Sequence, residues 1–280
     1  MAPNSLLQFW LVFEQRDAHW MQNVASENNL AETSFVSPLP NANEELYSLT
    51  WYTPTKEVEL CGHATLAAAA ALYQSRRVPK QSKISFQTPH SGKLYAYLVG
   101  DIINLDFPAT PSSEVELTHE ELGHLMTSFQ ISKSDILYTG RSSYDLLVEI
   151  DSSTFIDLVR SSREVDYSSI SMLGGRGVIL TSRGENLVSL FADHKISACD
   201  FASRCFFPRY GVMEDSVTGS AHCCLAPYWS QIIGKTSMIA FQASQRGGVL
   251  YLEIASGRII IGGNSKIIIQ SEILDHDSLL

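Results

Sequence analysis

The sequence predicts a mixed α/β protein of two similar domains, each a sheet wrapped around one central helix, and three observations carry that prediction. First, Glu214-Asp215-Ser216-Val217-Thr218-Gly219-Ser220-Ala221-His222 runs into the apolar Cys223-Cys224-Leu225-Ala226-Pro227-Tyr228-Trp229. An acidic approach and a small-residue turn open a helix there and leave its first N–H groups free for an anion. Second, Glu59-Leu60-Cys61-Gly62-His63-Ala64-Thr65-Leu66-Ala67-Ala68 repeats the arrangement. Setting Gly62 on Gly219 pairs His63 with Ser220 and Ala64 with Ala221, at a separation of 219 − 62 = 157 positions. Third, the helix from Gly62 to about Gln74 carries alanine on every side, at Ala64 and Ala67 to Ala71, without a charged stripe. That pattern marks a helix packed all round at the centre of a wrapped sheet, with an ordinary helix bearing one small-residue face as the alternative. Two half-chains, each offering one helix start, suggest a cleft between them.

The composition allows this. A chain of 280 residues with 45% hydrophobic and 18% charged residues can bury a large core and falls between one large domain and two ordinary ones. A net charge of −10 and no clustered Lys and Arg argue against a nucleic-acid surface and for small-molecule chemistry. Cys61, Cys199, Cys205, Cys223 and Cys224 form an odd set without a C-x-x-C pair, so neither a disulfide framework nor a zinc site is expected and the cytoplasm is the natural compartment. The apolar start Leu6 to Phe13 is too short to span a bilayer and lacks the flanks of a leader, so it reads as a strand and no membrane partner is expected.

In chain order, Asp17 caps a helix to Asn29 that places Trp20, Met21, Val24 and Ala25 on one face. Leu30 to Val36 is extended and contains Glu32. That acid points either into a cleft or into water, and composition favours water. Leu46 to Tyr52 is a strand and Pro54 to Lys56 a turn. Lys83 to Thr88, Lys93 to Val99 and Ile102 to Phe107 are antiparallel strands, joined by Pro89-His90-Ser91-Gly92 and Gly100-Asp101. Pro108 to Ser113 is the clearest linker. The domain boundary falls there: 1–107 forms the first domain, joined by a last strand at about 264–280, and 108–263 the second.

Beyond the linker, Thr118-His119-Glu120-Glu121 is a capping box ahead of Leu122, Leu125 and Met126. Strands at 136–138 and 144–150, a helix near 154–160 and strands at 177–181 and 187–191 mirror the first half. After the helix that follows Asp215 come β runs at 238–242, 249–254, 258–261 and 266–269, the last of which return to the first domain.

The candidates for chemistry are Glu32, Cys61, His63, Glu214, Asp215, Ser220, His222 and Cys223. Two facing helix starts would hold a substrate carboxylate while a neighbouring carboxylate or imidazole moves a proton. A serine hydrolase is the rival, since Ser220, a His and an Asp are all present, but Thr-Gly-Ser-Ala-His lacks the G-x-S-x-G elbow. The plain alternatives are that Cys223 and Cys224 fill the core, His222 is a core histidine, Asp215 complements a helix dipole and Cys61 is structural.

Taken together, Asn28-Asn29-Leu30-Ala31-Glu32-Thr33-Ser34-Phe35-Val36, the two helix starts and Gln245-Arg246-Gly247-Gly248 resemble the PhzF family of phenazine-biosynthesis-like proteins, in the same order over about residues 21 to 270. The resemblance implies the diaminopimelate-epimerase-like fold, with two pseudo-symmetric domains and the active site between them. It implies an isomerase with no metal or organic cofactor, in which Glu32 moves a proton on a small carboxylic acid. His63 and Asp215 match the other catalytic positions, and Gly62, Gly219 and Ser220 match substrate contacts. A homodimer is expected. Cys61 falls at the first thiol position of the related two-cysteine epimerases, but Ser216 stands near the second, which argues against a two-thiol mechanism. One departure matters: family members follow the first strand with a Gly-Asn-Pro motif, whereas this chain passes from Phe13-Glu14 to Asp17 without it. That leaves a variant start, or a protein that keeps the fold as a small-carboxylate binding or interaction module with altered or lost activity. Ser216, where the family commonly has Pro, should only loosen the turn.

Overall fold

The structure is a computed structural model that describes residues 8–11, 16–40, 45–161, 164–187, 198–263, 265 and 267. Helix α1 spans Ala18–Asn28, starts where the Asp17 side chain accepts from the Trp20 N–H at 2.8 Å, and stops at Asn29 in the left-handed region (φ 49°). Its apolar face, Trp20, Met21, Val24 and Ala25, packs on Phe35 and Tyr52. Those two side chains stand on β2 (Thr33–Pro38) and β3 (Glu45–Tyr52), and β1 (Gln8–Leu11) lies parallel to β2.

Helix α2, Gly62–Gln74, occupies the centre of the first half. It follows β4 (Glu57–Val58) and meets β1, β2, β6 (Lys93–Val99) and β7 (Ile102–Pro108). With β5 (Ile84–Gln87) these strands run in the order β1-β2-β3-β5-β6-β7. The absence of a charged stripe is thereby explained. Ala64, Ala68, Ala69, Ala70, Leu72 and Tyr73 are all buried, and short side chains let strands approach on several sides.

The second half builds the same kind of object. After β8 (Ser113–Glu114), the capping box of Thr118 and Glu121 starts α3 (His119–Phe129). Then come β9 (Ile136–Arg141), β10 (Leu146–Ile150), α4 (Ser152–Arg160), α5 (Tyr167–Ser171), β11 (Val178–Arg183), β12 (Phe201–Phe207) and β13 (Val212–Asp215). Helix α6 (Gly219–Ile233) and strands β14 (Ser237–Gln242), β15 (Gly248–Ala255) and β16 (Arg258–Gly263) follow. Trp229 of α6 is fully buried, stacks on Phe201 with ring centroids 5.5 Å apart, and donates from Nε1 to Thr181 Oγ1 at 2.9 Å.

The sheet order is β16-β15-β14-β12-β11-β10-β9-β8, and antiparallel pairing of β16 with β7 makes the two halves one continuous sheet. Strand β12 was not anticipated. It is covered on both faces, so Ser203 and Arg204 interrupt an otherwise apolar run that shows no period of two. Positions 188–191 and, apart from 265 and 267, the expected return strand at 264–280 lie outside the described residues. Among the described residues no helix is long and apolar enough to cross a membrane.

Candidate active site

The two helix starts meet. A Cβ built on Gly62 would lie 2.8 Å from Gly219 Cα, and one built on Gly219 would lie 2.9 Å from Gly62 Cα, closer than real Cβ contacts come. Neither start has a side-chain cap. The first intrahelical donors are Thr65, to Cys61 O, and His222, to Thr218 O. The N–H groups of Gly62, His63, Gly219, Ser220 and Ala221 are therefore free of intrahelical acceptors, that of Ala64 is turned to the Cys61 sulfur, and all lie at the positive ends of two helices. The resulting pocket is lined by Glu32, Cys61, His63, Arg176, Asp215 and Ser220 together with both glycines. Each glycine is required by the backbone of the other helix.

Glu32 is a correction to the solvated reading. It sits just ahead of β2, 9% exposed, and accepts from His63 Nε2 at 2.8 Å. Composition could not foresee this, because the partner lies one position into a helix 31 residues away. Burial pulls the His63 pKa down, but Cys61, Glu32 and Asp215 push harder and hold it well above its ordinary value. The charged form of His63 is thereby favoured beside Glu32. Burial, opposed by His63, raises the Cys61 pKa despite its place at a helix start. Glu32, Cys61 and His63 present three possible metal ligands within 4.8 Å of one another. The sulfur is 3.9 Å from both imidazole nitrogens, however, and the Nε2 position is already turned to Glu32, an arrangement better suited to proton transfer than to a cation.

Asp215 ends β13. Its Oδ2 accepts from Thr218 Oγ1 at 2.6 Å, and Gln242 Nε2 donates to its carbonyl at 2.8 Å. Gln242 also takes the Thr218 N–H on Oε1 at 2.7 Å, so one buried amide fixes the turn into α6. The Ser244 to Gly248 stretch supports the same turn: Ser244 Oγ donates to Ser216 O at 2.7 Å, and Gly248 leaves room for Val217.

The other candidates separate. Glu214 faces away from Asp215 and receives Arg204 Nε at 2.7 Å and Nη2 at 3.0 Å. His222 is fully buried, stacked on Phe201, and donates from Nδ1 to Thr218 O at 2.7 Å. Cys223 and Cys224 are core thiols, with burial raising both pKa values. Ser220 has Arg176 Nη2 at 3.0 Å and no hydrogen bond to a histidine among the described residues, so the hydrolase triad is not formed there. The sequence reading missed Arg176 and its partner Asp145, whose oxygens accept from Nε at 2.9 Å and Nη2 at 2.6 Å. The only local signal was a lone Arg within Gly174-Gly175-Arg176-Gly177.

A family model described as phenazine biosynthesis-like protein matches residues 9–270. An "uncharacterized isomerase" of Halalkalibacterium halodurans is 40% identical over 259 residues, 92% of this chain and 88% of that protein. The crystal structure of a PhzF-family phenazine biosynthesis protein from Enterococcus faecalis superimposes with a TM-score of 0.75 at 32% identity, covering 92% of this chain and 88% of that one. A probable proline racemase from Agrobacterium radiobacter shares the fold alone, with a TM-score of 0.54 at 11% identity over 88% of this chain and 77% of its own.

Proposed function

The chain belongs to the phenazine biosynthesis-like protein family, and from that premise we propose that it is an isomerase that moves a proton on a small carboxylic acid without a metal or organic cofactor. The observation that carries this reading is the 2.8 Å pairing of Glu32 with His63 in a pocket where two uncapped helix starts converge. In this reading the substrate carboxylate lies on the free N–H groups of Gly62, Gly219 and Ser220. Glu32 removes a proton from a carbon beside the carboxylate or an unsaturated system and returns it to a carbon of the same molecule, so that no atom is gained or lost. His63, whose pKa is raised, donates to Glu32 and orients it for proton transfer, and Asp215 supports His63 from the other helix start. The site lies between two pseudo-symmetric domains, 1–107 and 108–263, of a cytoplasmic homodimer. The five free thiols fit a reducing compartment, and light scattering checks the dimer.

Glu32→Gln should lower solvent deuterium incorporation into a turned-over carboxylic acid by roughly 10²- to 10⁴-fold. An unchanged exchange rate would remove Glu32 from the mechanism. The missing Gly-Asn-Pro segment favours a second reading, a carboxylate-binding or protein-interaction module without turnover. Product formed from any member of a carboxylic-acid library would exclude it.

A further inference from the structure

Building on the carboxylate site just described, we propose that Arg176, locked by Asp145, is a positioning and specificity-determining residue that turns Ser220 into an obligate hydrogen-bond donor, so that the site takes an ionised carboxylate and rejects the matching amide. A guanidinium carries donors only, so at 3.0 Å Nη2 must donate and Ser220 Oγ must accept. The Ser220 O–H then has to point elsewhere, and it makes no hydrogen bond to any acceptor among the described residues. The carbonyl of Ser216, to which a helical serine usually turns, is not its partner and receives Ser244 Oγ at 2.7 Å instead. Ser220 is 5% exposed and lines the pocket, so its proton is directed at whatever occupies the helix starts.

Arg176 has little freedom to do otherwise. Both oxygens of the nearly inaccessible Asp145 are used by its fork. Its own N–H donates to Tyr144 O at 2.6 Å. The preceding Gly175, at φ +65°, leaves no room for a side chain, since a Cβ there would lie 2.9 Å from that same carbonyl. Nη1, which makes no hydrogen bond among the described residues, is left as a further charged donor. The guanidinium lies 4.8 Å from the Phe207 ring centroid and 5.4 Å from that of Tyr144, and both rings line the pocket and favour a flat ligand. The anion end therefore presents backbone N–H groups, one O–H and one guanidinium, all donors. A carboxylate answers them with acceptors alone. An amide brings two N–H groups of its own and leaves donors unpaired.

The test is calorimetric titration of the full-length protein with benzoate and benzamide, on wild type, Arg176→Lys, Ser220→Ala, the double variant and Asp145→Asn, each checked for folding by circular dichroism. Wild type should prefer benzoate. Arg176→Lys and Ser220→Ala should each weaken benzoate by about tenfold or more, because a charge-assisted or charge-positioned bond is lost. The double variant should lose little beyond the larger single loss, and benzamide binding should hardly change. Asp145→Asn should move in the same direction as Arg176→Lys and carries the test if the lysine variant does not fold. Wild-type benzoate affinity in Arg176→Lys, or losses that simply add, would overturn the role of Arg176 while leaving the carboxylate site intact. A wild type that binds neither ligand would overturn both.

Discussion

Glu32, just ahead of β2, and His222, in the first turn of α6, are both buried polar side chains, and the two are answered differently. Glu32 has His63, whereas His222 donates from Nδ1 to Thr218 O and leaves its buried Nε2 without a hydrogen bond among the described residues. The two histidines therefore titrate in opposite directions. Burial drives the His222 pKa down to about 4, with Thr218 and Asp215 opposing. The unfolded chain binds that proton from about pH 6.5 downward while the folded chain refuses it until about 4. Stability is thus lost across that window by roughly 3 kcal/mol at most. His63, with its pKa raised, stabilises the fold fully below its ordinary value of 6.5 and loses that contribution as pH rises through the folded pKa, so it acts on the alkaline flank. In His222→Phe, which keeps a flat ring against Phe201, the melting temperature should fall less than in wild type between pH 6.5 and 4. Parallel profiles would show that His222 is not the acid-sensitive group. The Glu32 motif could be recognised in the sequence, but its burial could not, since the partner that makes burial tolerable comes from another element.

At the scale of elements, the repeat relating Gly62 to Gly219 was legible as a pattern, and its physical cause became visible only when the helices were placed end against end. Two glycines are needed because backbone meets backbone, and neither helix start can retreat without losing the strands around it. Alanine at either position gains at most about 1 kcal/mol of helix propensity, and less at the first turn. Against this stands a Cβ 2.8 or 2.9 Å from a main-chain carbon, an overpacking cost of about 1 to 3 kcal/mol that no flexible side chain can relieve. The clash wins. Gly62→Ala and Gly219→Ala should each lower the chemical-denaturation midpoint and weaken benzoate binding by spreading the N–H groups. Variants as stable as wild type would mean that the contact has slack. Arg176 and Asp145 lay beyond sequence reading for a related reason. Their 31-residue separation joins a glycine turn to the residue before β10, and nothing local marks either as part of a site. Strand β12 was hidden by its burial on both faces.

For the whole molecule, the question is whether two similar halves behave as two units. The halves were suggested by the repeat and by the Pro108 to Ser113 linker, both local signals. The pairing of β7 with β16 joins residues about 150 positions apart and has no turn signature, so the sequence alone did not reveal that the sheet runs through. Three features couple the halves. Arg258 of β16 binds the Asp106 side chain and, at 2.8 Å, its carbonyl. The backbones of Gly62 and Gly219 meet at the two helix starts. One buried cluster holds Ala64, Leu105 and Phe107 together with Leu147, Phe201, Ala221 and Trp229. Chains of this length often divide into separately melting domains. Here separation would expose the apolar side chains of that shared cluster to water, a cost of about 25 cal/mol per Å² that opposes the parting of the halves. Calorimetry should accordingly show one transition, with calorimetric and van't Hoff enthalpies equal, shifted upward as a whole by benzoate. Two resolved peaks, only one of them moved by the ligand, would mean that the helix starts belong to halves that come apart before they unfold.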